Sequence, residues 1–104
     1  EILEFDTALK QSIYRAMKAF DGTILHWGGT KKQNCGGRIA MLTEYRRSAN
    51  SGERGSFNVR LIRILDGSSS FTLTVSYNEL YTVIFKPICN RVISSLKIKN
   101  EYHQ

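Results

Sequence analysis

Apolar residues near the start of the chain recur at intervals of three and four, which is the spacing of one helical face. This stripe predicts a helix over residues 7–20 and consists of Leu9, Ile13, Met17 and Phe20. Asp6 or Thr7 is expected to cap the first turn, because a short polar side chain accepts a hydrogen bond from an otherwise unpaired backbone amide. An Asp-Gly pair at 21 and 22 is typical of a helix end.

The middle of the chain favours β-strands separated by short turns. Alternating or β-branched residues mark four of them, at 23–27, 38–47, 57–65 and 71–77. The glycine-rich stretch at 28–37 is expected to be a flexible loop. In the third strand the apolar positions change from odd to even numbers at Leu61, and this change predicts a β-bulge.

The last part of the chain again has helical spacing, with an apolar stripe at Phe85, Cys89, Val92 and Leu96. A proline inside a helix costs about 3 kcal/mol, whereas one in the first turn costs little. We therefore expect the helix to begin between Thr82 and Phe85, so that Pro87 lies in its first turn.

This order of elements predicts one α+β domain over residues 1–104. The expected architecture is a two-layer sandwich, with an antiparallel sheet of about four strands. Both the N-terminal and the C-terminal helix are expected on one face of the sheet, and the other face is expected to be partly open. The acidic first residues and the missing initiator Met favour a piece of a longer protein.

The net charge of +6 comes from the middle third of the chain. Residues 28–63 hold eight basic and two acidic side chains, and the remainder of the chain is balanced. Such an excess predicts a positive surface for a polyanion, either lipid headgroups or nucleic acid, although solvated strands and loops also carry Lys and Arg. The candidate anion-binding residues are Lys31, Lys32, Arg38, Arg46, Arg47, Arg54, Arg60 and Arg63. Arg38, Arg60 and Arg63 lose this role if their strand face is covered.

Residues for catalysis are sparse, so we expect no enzymatic activity from this domain. The two histidines, His26 and His103, have no nucleophile or carboxylate at a suitable spacing. The acidic residues are scattered, which predicts neither a metal site nor a cofactor. The basic stretch "GGTKK" could hold a phosphate, but a flexible loop is the simpler interpretation. Cys35 and Cys89 are expected to be reduced thiols of a cytosolic protein.

Three segments resemble the kinase-associated-1 domain of microtubule-affinity-regulating and septin-associated Ser/Thr kinases. "FKPICNRVISSLKI" at 85–98 is similar to its closing helix, "FNVRLIRILDGSSSFTLTV" at 57–75 to the preceding hairpin, and "IYRAMKAF" at 13–20 to its first helix. The family's Ser-Gly turn before the last helix is replaced by "NELYT", and the basic pairs of its last strand by Ser76 and Tyr77. Any anion site must therefore use other residues.

This resemblance implies a non-catalytic C-terminal module that binds anionic phospholipids such as phosphatidylserine. Such a module brings a cytoplasmic kinase to the plasma membrane, or to the bud neck and cell cortex in septin-associated kinases. In some members it also restrains its own kinase domain, and it needs no cofactor. Each Lys or Arg near an anionic bilayer contributes about 1 kcal/mol, so the domain would also need avidity from its parent protein.

A second resemblance implies a different partner. "LIRILDGSSSFTLTVSYNEL" at 61–80 and "ILEFDTAL" at 2–9 are similar to the Alu-RNA-binding, 14-kDa-type subunit of the signal recognition particle. In that family the same arginines would neutralise RNA phosphates. Its last helix begins directly after the final strand, which would put Pro87 inside the helix here, and its Lys-rich tail has no counterpart. The start of the last helix therefore helps to distinguish the two families.

Overall fold

The computed structural model describes residues 2–19, 22–35, 38–48, 55–66 and 69–95. Its elements in chain order are α1 (Ile2–Ala19), β1 (Ile24–Cys35), β2 (Arg38–Ser48), β3 (Ser56–Asp66), β4 (Ser69–Asn78) and α2 (Thr82–Ser94). The strands form one antiparallel sheet in the order β1-β2-β3-β4. The predicted α+β arrangement, with an antiparallel four-stranded sheet and a helix at each end of the sequence, is confirmed.

Helix α2 packs on one face of the sheet, which we call the α2 face. The register pairs Leu42 with Ile62 and Ala40 with Ile64, so these side chains point to the same side. Ile93 of α2 is 2% exposed and belongs to one buried cluster with these four residues, and Leu73 and Val75 of β4 border this cluster. The hydrophobic core therefore lies between α2 and the middle of the sheet.

Helix α1 packs on the opposite face, the α1 face, and contacts mainly the edge strand β1. Asp6 accepts hydrogen bonds from Trp27 Nε1 at 3.1 Å and from Thr30 Oγ1 at 2.6 Å. The Thr30 hydroxyl lies 2.7 Å from that of Thr43, which follows Leu42 directly and so points to the other face. The expectation that both helices share one face is wrong. The sheet has buried side chains on both of its faces, and α2 packs on one face while α1 packs on the other.

Helix α1 also begins earlier than its apolar stripe indicated, at Ile2 instead of residue 7. Asp6 therefore lies inside the helix and binds β1, and the predicted capping role is wrong. The Thr7 hydroxyl donates to the carbonyl of Leu3 one turn earlier, a bond available only within a helix.

Strand β1 continues through the glycine-rich stretch that was expected to be a flexible loop. It pairs with β2 from Ile24 to Cys35, with register shifts between Ile24 and His26 and between Trp27 and Gly29. Gly29 has a φ of 91°, which an L side chain rarely adopts. Glycine thus permits an irregularity within the strand and does not end it.

Strand β3 has no register shift, so the bulge predicted there is wrong. Apolar residues occur at both odd and even positions because β3 buries side chains on both faces of the sheet. Val59 is buried on the α1 face, whereas Ile62 and Ile64 are buried on the α2 face.

Helix α2 begins at Thr82, at the start of the expected interval. A turn of 3-10 helix, Glu79–Tyr81, joins it to β4 without a gap, so helical structure starts directly after Asn78. Pro87 is the sixth residue of α2 and lies in its second turn, not its first. Val83, whose carbonyl loses its usual amide partner to this proline, is 89% exposed, so water can reach that carbonyl.

Candidate functional site

The seven predicted anion-binding residues that the structure describes do not form one surface. The strand register places Lys31, Arg38, Arg46 and Arg60 on the α2 face, and Lys32, Arg47 and Arg63 on the α1 face. Arg54 lies outside the described residues. Which face could bind an anion therefore depends on the neighbours of the cations on each face.

Two arginines of the α2 face are held by carboxylates. Arg46 Nη1 lies 2.9 Å from Glu79 Oε1, and Arg60 Nε lies 3.6 Å from Glu44 Oε1. Arg60 also donates to the side-chain oxygen of Asn90 in α2, and only 11% of its side chain is exposed. Its strand face is thus covered, which is the condition under which Arg60 was expected to lose its anion-binding role.

Glu79 connects the 3-10 turn to the sheet. Ser56 Oγ donates to its carboxylate at 2.5 Å, and this hydrogen bond is the largest cause that lowers the pKa of Glu79 below its ordinary value. Partial desolvation opposes the shift, while the charge and hydrogen bond of Arg46 add to it. The ionised carboxylate therefore offsets the charge of Arg46 and fixes the start of the helical segment against β2 and β3.

The cations of the α1 face have different neighbours. The Arg47 guanidinium lies 4.7 Å from the ring centre of Phe57, and that of Arg63 lies 5.9 Å from the ring centre of Phe5. These contacts orient the guanidinium groups without cancelling their charge. Among the described strand residues whose side chains share this face, none is an Asp or a Glu. The carboxylate of Asp6 in α1 also lies on this side, where it is bonded to Trp27 and Thr30. The strand cations of the α1 face therefore have no carboxylate partner within the sheet.

Polar hydroxyl groups extend this surface along the edge strand β4. Thr72, Thr74 and Ser76 alternate with the core residues of β4 and are all exposed, because α1 contacts the other edge of the sheet. The register aligns Lys32, Met41, Arg63 and Thr72 in one row across the four strands. We call this group the basic platform; its members are Lys32, Arg47, Arg63, Thr72, Thr74 and Ser76, and all of them are exposed except the half-buried Arg47.

The spacing within this platform suits a chain of phosphates. Neighbouring strands lie about 5 Å apart, so Lys32 and Arg63, two strands apart, are separated at the backbone by about 10 Å. Charge counting alone missed the three hydroxyl residues. Their alternation with Phe71, Leu73 and Val75 could have identified them, because it predicts a polar face on β4.

Two aromatic residues of β1 and β2 lie next to helix α1 on the α1 face. Trp27 stacks on Tyr45 with ring centres 5.5 Å apart, and Lys10 of α1 lies 6.0 Å from the Trp27 ring centre. Burial raises the pKa of Tyr45, and the charge of Arg47 offsets only part of this shift. These rings are held by their neighbours, so they position α1 and β1.

Metal-binding side chains are not brought together in the part of the chain that the structure describes. No group of three His, Cys, Asp or Glu side chains there is placed to bind a metal ion. Cys89 is a buried free thiol, and burial raises its pKa despite the nearby charge of Arg60. The side chain of Cys35 and all of His103 lie outside the described residues.

No helix of the described segments has both the length and the hydropathy needed to span a bilayer. Comparison of the chain with protein-family models, with curated proteins and with solved structures finds no match.

Proposed function

We propose that this chain is a non-catalytic RNA-binding domain, related in function to the Alu-RNA-binding subunit that its sequence resembles. The observation that carries the proposal is the basic platform, where cations without neighbouring strand carboxylates lie beside exposed hydroxyl groups. Arginine and lysine neutralise phosphates, and Ser and Thr hydroxyls bond to phosphate or ribose oxygens. A structured RNA presents both kinds of group.

The position of the last helix does not by itself choose between RNA and a membrane. Helix α2 begins at Thr82, within the interval expected from the kinase-associated-1 resemblance. The 3-10 turn Glu79–Tyr81 nevertheless extends helical structure back to the end of β4, and Pro87 lies inside α2, so the fold is also compatible with the Alu-RNA-binding family.

The proposal is tested by measuring affinity for the Alu-domain RNA of a signal recognition particle as a function of salt concentration. The double variant Lys32→Ala with Arg63→Ala removes two platform cations. We expect weaker binding and a log–log salt slope that is smaller by roughly 1 to 2 units, since each neutralised phosphate contributes about 0.7 to 0.9.

The matched control is Lys86→Ala with Arg91→Ala, which removes the same charge from helix α2 on the other side of the sheet. If RNA binds through the α1 face, this control retains most of the affinity and the slope. Equal losses in both double variants would mean that net charge alone attracts RNA. No binding by the unaltered domain at low salt would refute the proposal.

An anionic membrane is the second candidate, as the kinase-associated-1 resemblance implies. It is favoured by two exposed apolar side chains, Ile39 (67%) and Leu65 (56%), which share a groove with Lys32 and Arg63. Basic residues beside apolar ones are typical of proteins that insert into the headgroup region. In this reading the chain is a C-terminal module that takes a Ser/Thr kinase to phosphatidylserine-rich membrane and restrains its kinase domain.

The two candidates respond differently to loss of the apolar groups. Ile39→Ser with Leu65→Ser retains every cation, so RNA binding should change little. Sedimentation with phosphatidylserine liposomes should fall if these side chains enter a bilayer. Sedimentation of the unaltered domain, together with no affinity for RNA, would favour the membrane.

A further inference from the structure

One side of helix α2 is apolar and exposed. Five side chains at helical spacing form this apolar flank, and each is between 41 and 59% exposed: Tyr81, Ile84, Phe85, Ile88 and Val92. They lie beside the stripe of Cys89 and Ile93 that packs on the sheet. Isolated exposed apolar residues are ordinary, but a continuous row of five marks an interaction surface.

The residues on the opposite side of α2 show which way the apolar flank faces. Lys86 and Asn90 lie on the side of α2 that is directed toward β3 and β1, since Asn90 bonds Arg60 of β3 and Lys86 lines a cleft with His26 of β1. The apolar flank therefore faces the other way, toward β4. Phe85 stacks on Tyr77 of that strand with ring centres 6.4 Å apart.

Strand β4 is the edge of the sheet on this side, and its backbone there has no strand partner among the described residues. Edge strands are commonly protected by charged residues, proline or bulges. Strand β4, with the sequence SSFTLTVSYN, contains no charged residue and no proline, and its pairing with β3 is regular. The other edge, β1, has two register shifts and carries Lys31 and Lys32.

We propose that the β4 edge and the apolar flank of α2 together bind a second copy of this chain. Antiparallel pairing of β4 with β4 across a two-fold axis would join the two sheets and bring the two α2 flanks together. Copies with a charge of +6 repel each other. The β4 edge and the five flank residues carry no charge, although Arg91 shares a hollow with Ile88 and Val92, so contact there costs less electrostatic repulsion than contact at the basic platform.

The size of this surface is sufficient for a dimer. If each of the five flank residues, together with Phe71 of β4 (47% exposed) and Leu80 just after it (69% exposed), buries on the order of 100 Å², each copy contributes roughly 700 Å². A standard interface buries about 800 Å² per partner. The paired strand edges add further area, and this inference does not depend on whether the α1 face binds RNA.

The experiment is sedimentation equilibrium of the chain from about 1 to about 500 µM, because interfaces of this size have dissociation constants in the micromolar range or below. We expect a dimer whose population rises with concentration. Amide hydrogen exchange should show β4 amides that become protected as the dimer forms.

Ile88→Glu places a charge in the apolar flank and should give a monomer with native far-ultraviolet circular dichroism. Ile84→Glu is a second variant with the same expected result, in case the first does not fold. The matched control is Val83→Glu, since Val83 is 89% exposed on a different side of α2, and it should leave the dimer intact.

Three results would overturn the proposal. The first is that the chain stays a monomer over the whole concentration range. Binding of a different protein to this surface by such a monomer would count against the proposal in the same way. Another is dimerisation of both flank variants to the same extent as the unaltered chain. The third is a dimer in which the exchange of the β4 amides does not depend on concentration.

Discussion

At the scale of single residues, Asp6 has the role that the sequence concealed most. A short acidic residue before an apolar stripe is typical of a helix cap, but Asp6 instead accepts bonds from Trp27 and Thr30. Asp6→Ala would leave both donors without this acceptor in a partly buried site. We expect a loss of about 1–3 kcal/mol in the free energy of unfolding, measured with urea.

The control for Asp6 is Thr7→Ala, which removes an exposed hydroxyl bonded only within α1. It should lower the unfolding free energy much less. Similar losses in the two variants would mean that α1 is stabilised by its own turns and not by its contact with β1.

Glu79 gives a pH dependence whose sign follows from its lowered pKa. The fold favours the ionised carboxylate, so the contribution of Glu79 is fully present above its ordinary pKa of 4.5. It is lost as the pH falls through the lower pKa of the folded state. Glu79→Gln should therefore be less stable than the unaltered chain at pH 6, and the difference should shrink on acidification.

Unfolding by urea at several pH values between about 6 and 3 measures this difference. Glu4→Gln, at an exposed position of α1, is the comparison. A gap for Glu79→Gln that stays constant or widens toward low pH would contradict the assigned hydrogen bonds from Ser56 and Arg46.

At the scale of elements, the prediction for β1 was wrong because the glycine-rich stretch at 28–37 has the composition of a loop. The strand stays paired with β2 across two register shifts, and at Gly29, beside the second shift, a Cβ would meet no atom within 4 Å. The φ of 91° is therefore the only obstacle to substitution. Gly29→Ala should cost about 1–2 kcal/mol in unfolding free energy, and Gly29→Asn less, because Asn tolerates this conformation better.

Thermal and urea unfolding of the two variants test this reasoning. A larger cost for Asn than for Ala would show that side-chain volume and not backbone conformation determines the effect. A cost near zero for both would mean that β1 does not require a left-handed residue at position 29.

Pro87 gives the opposite prediction for α2. Replacing it with Ala supplies an amide that can donate to the carbonyl of Val83, while the unfolded chain regains a little freedom. We expect Pro87→Ala to raise the free energy of unfolding by about 1–3 kcal/mol. Lys86→Ala, an exchange between two good helix formers, is the control and should change it by less than about 0.5 kcal/mol.

The urea midpoint should rise for Pro87→Ala with an unchanged slope. A fall in the midpoint would show that the proline ring makes contacts worth more than the restored hydrogen bond.

At the scale of the whole molecule, the sequence predicted the strands and their antiparallel order but not which face each helix covers. Alternation within β4 is clear, because only one of its faces is apolar. Strand β3 has apolar residues on both faces, and its sequence cannot distinguish a bulge from burial on two sides. The positive excess was located correctly along the chain, yet its division between faces depends on register. Neutralisation of Arg46 by Glu79 joins residues 33 positions apart, which no local pattern reveals.

The two surfaces inferred above are coupled by the geometry of the sheet. A two-fold axis between antiparallel β4 strands is perpendicular to the sheet, so both α2 helices would lie on one side of the dimer. Both basic platforms would then lie on the other side of one continuous sheet. An RNA long enough to reach both platforms should bind with avidity, whereas a short RNA should contact only one.

Ile88→Glu should therefore weaken binding of the long RNA by roughly tenfold or more and leave that of a short RNA unchanged. Titrations of both RNAs against the unaltered chain, Ile88→Glu and the control Val83→Glu measure this difference. Equal weakening for the short RNA would place the apolar flank itself in the RNA contact. Tight binding of the long RNA by a variant shown to be a monomer would mean that the charges of one α1 face are sufficient and that no second copy is needed.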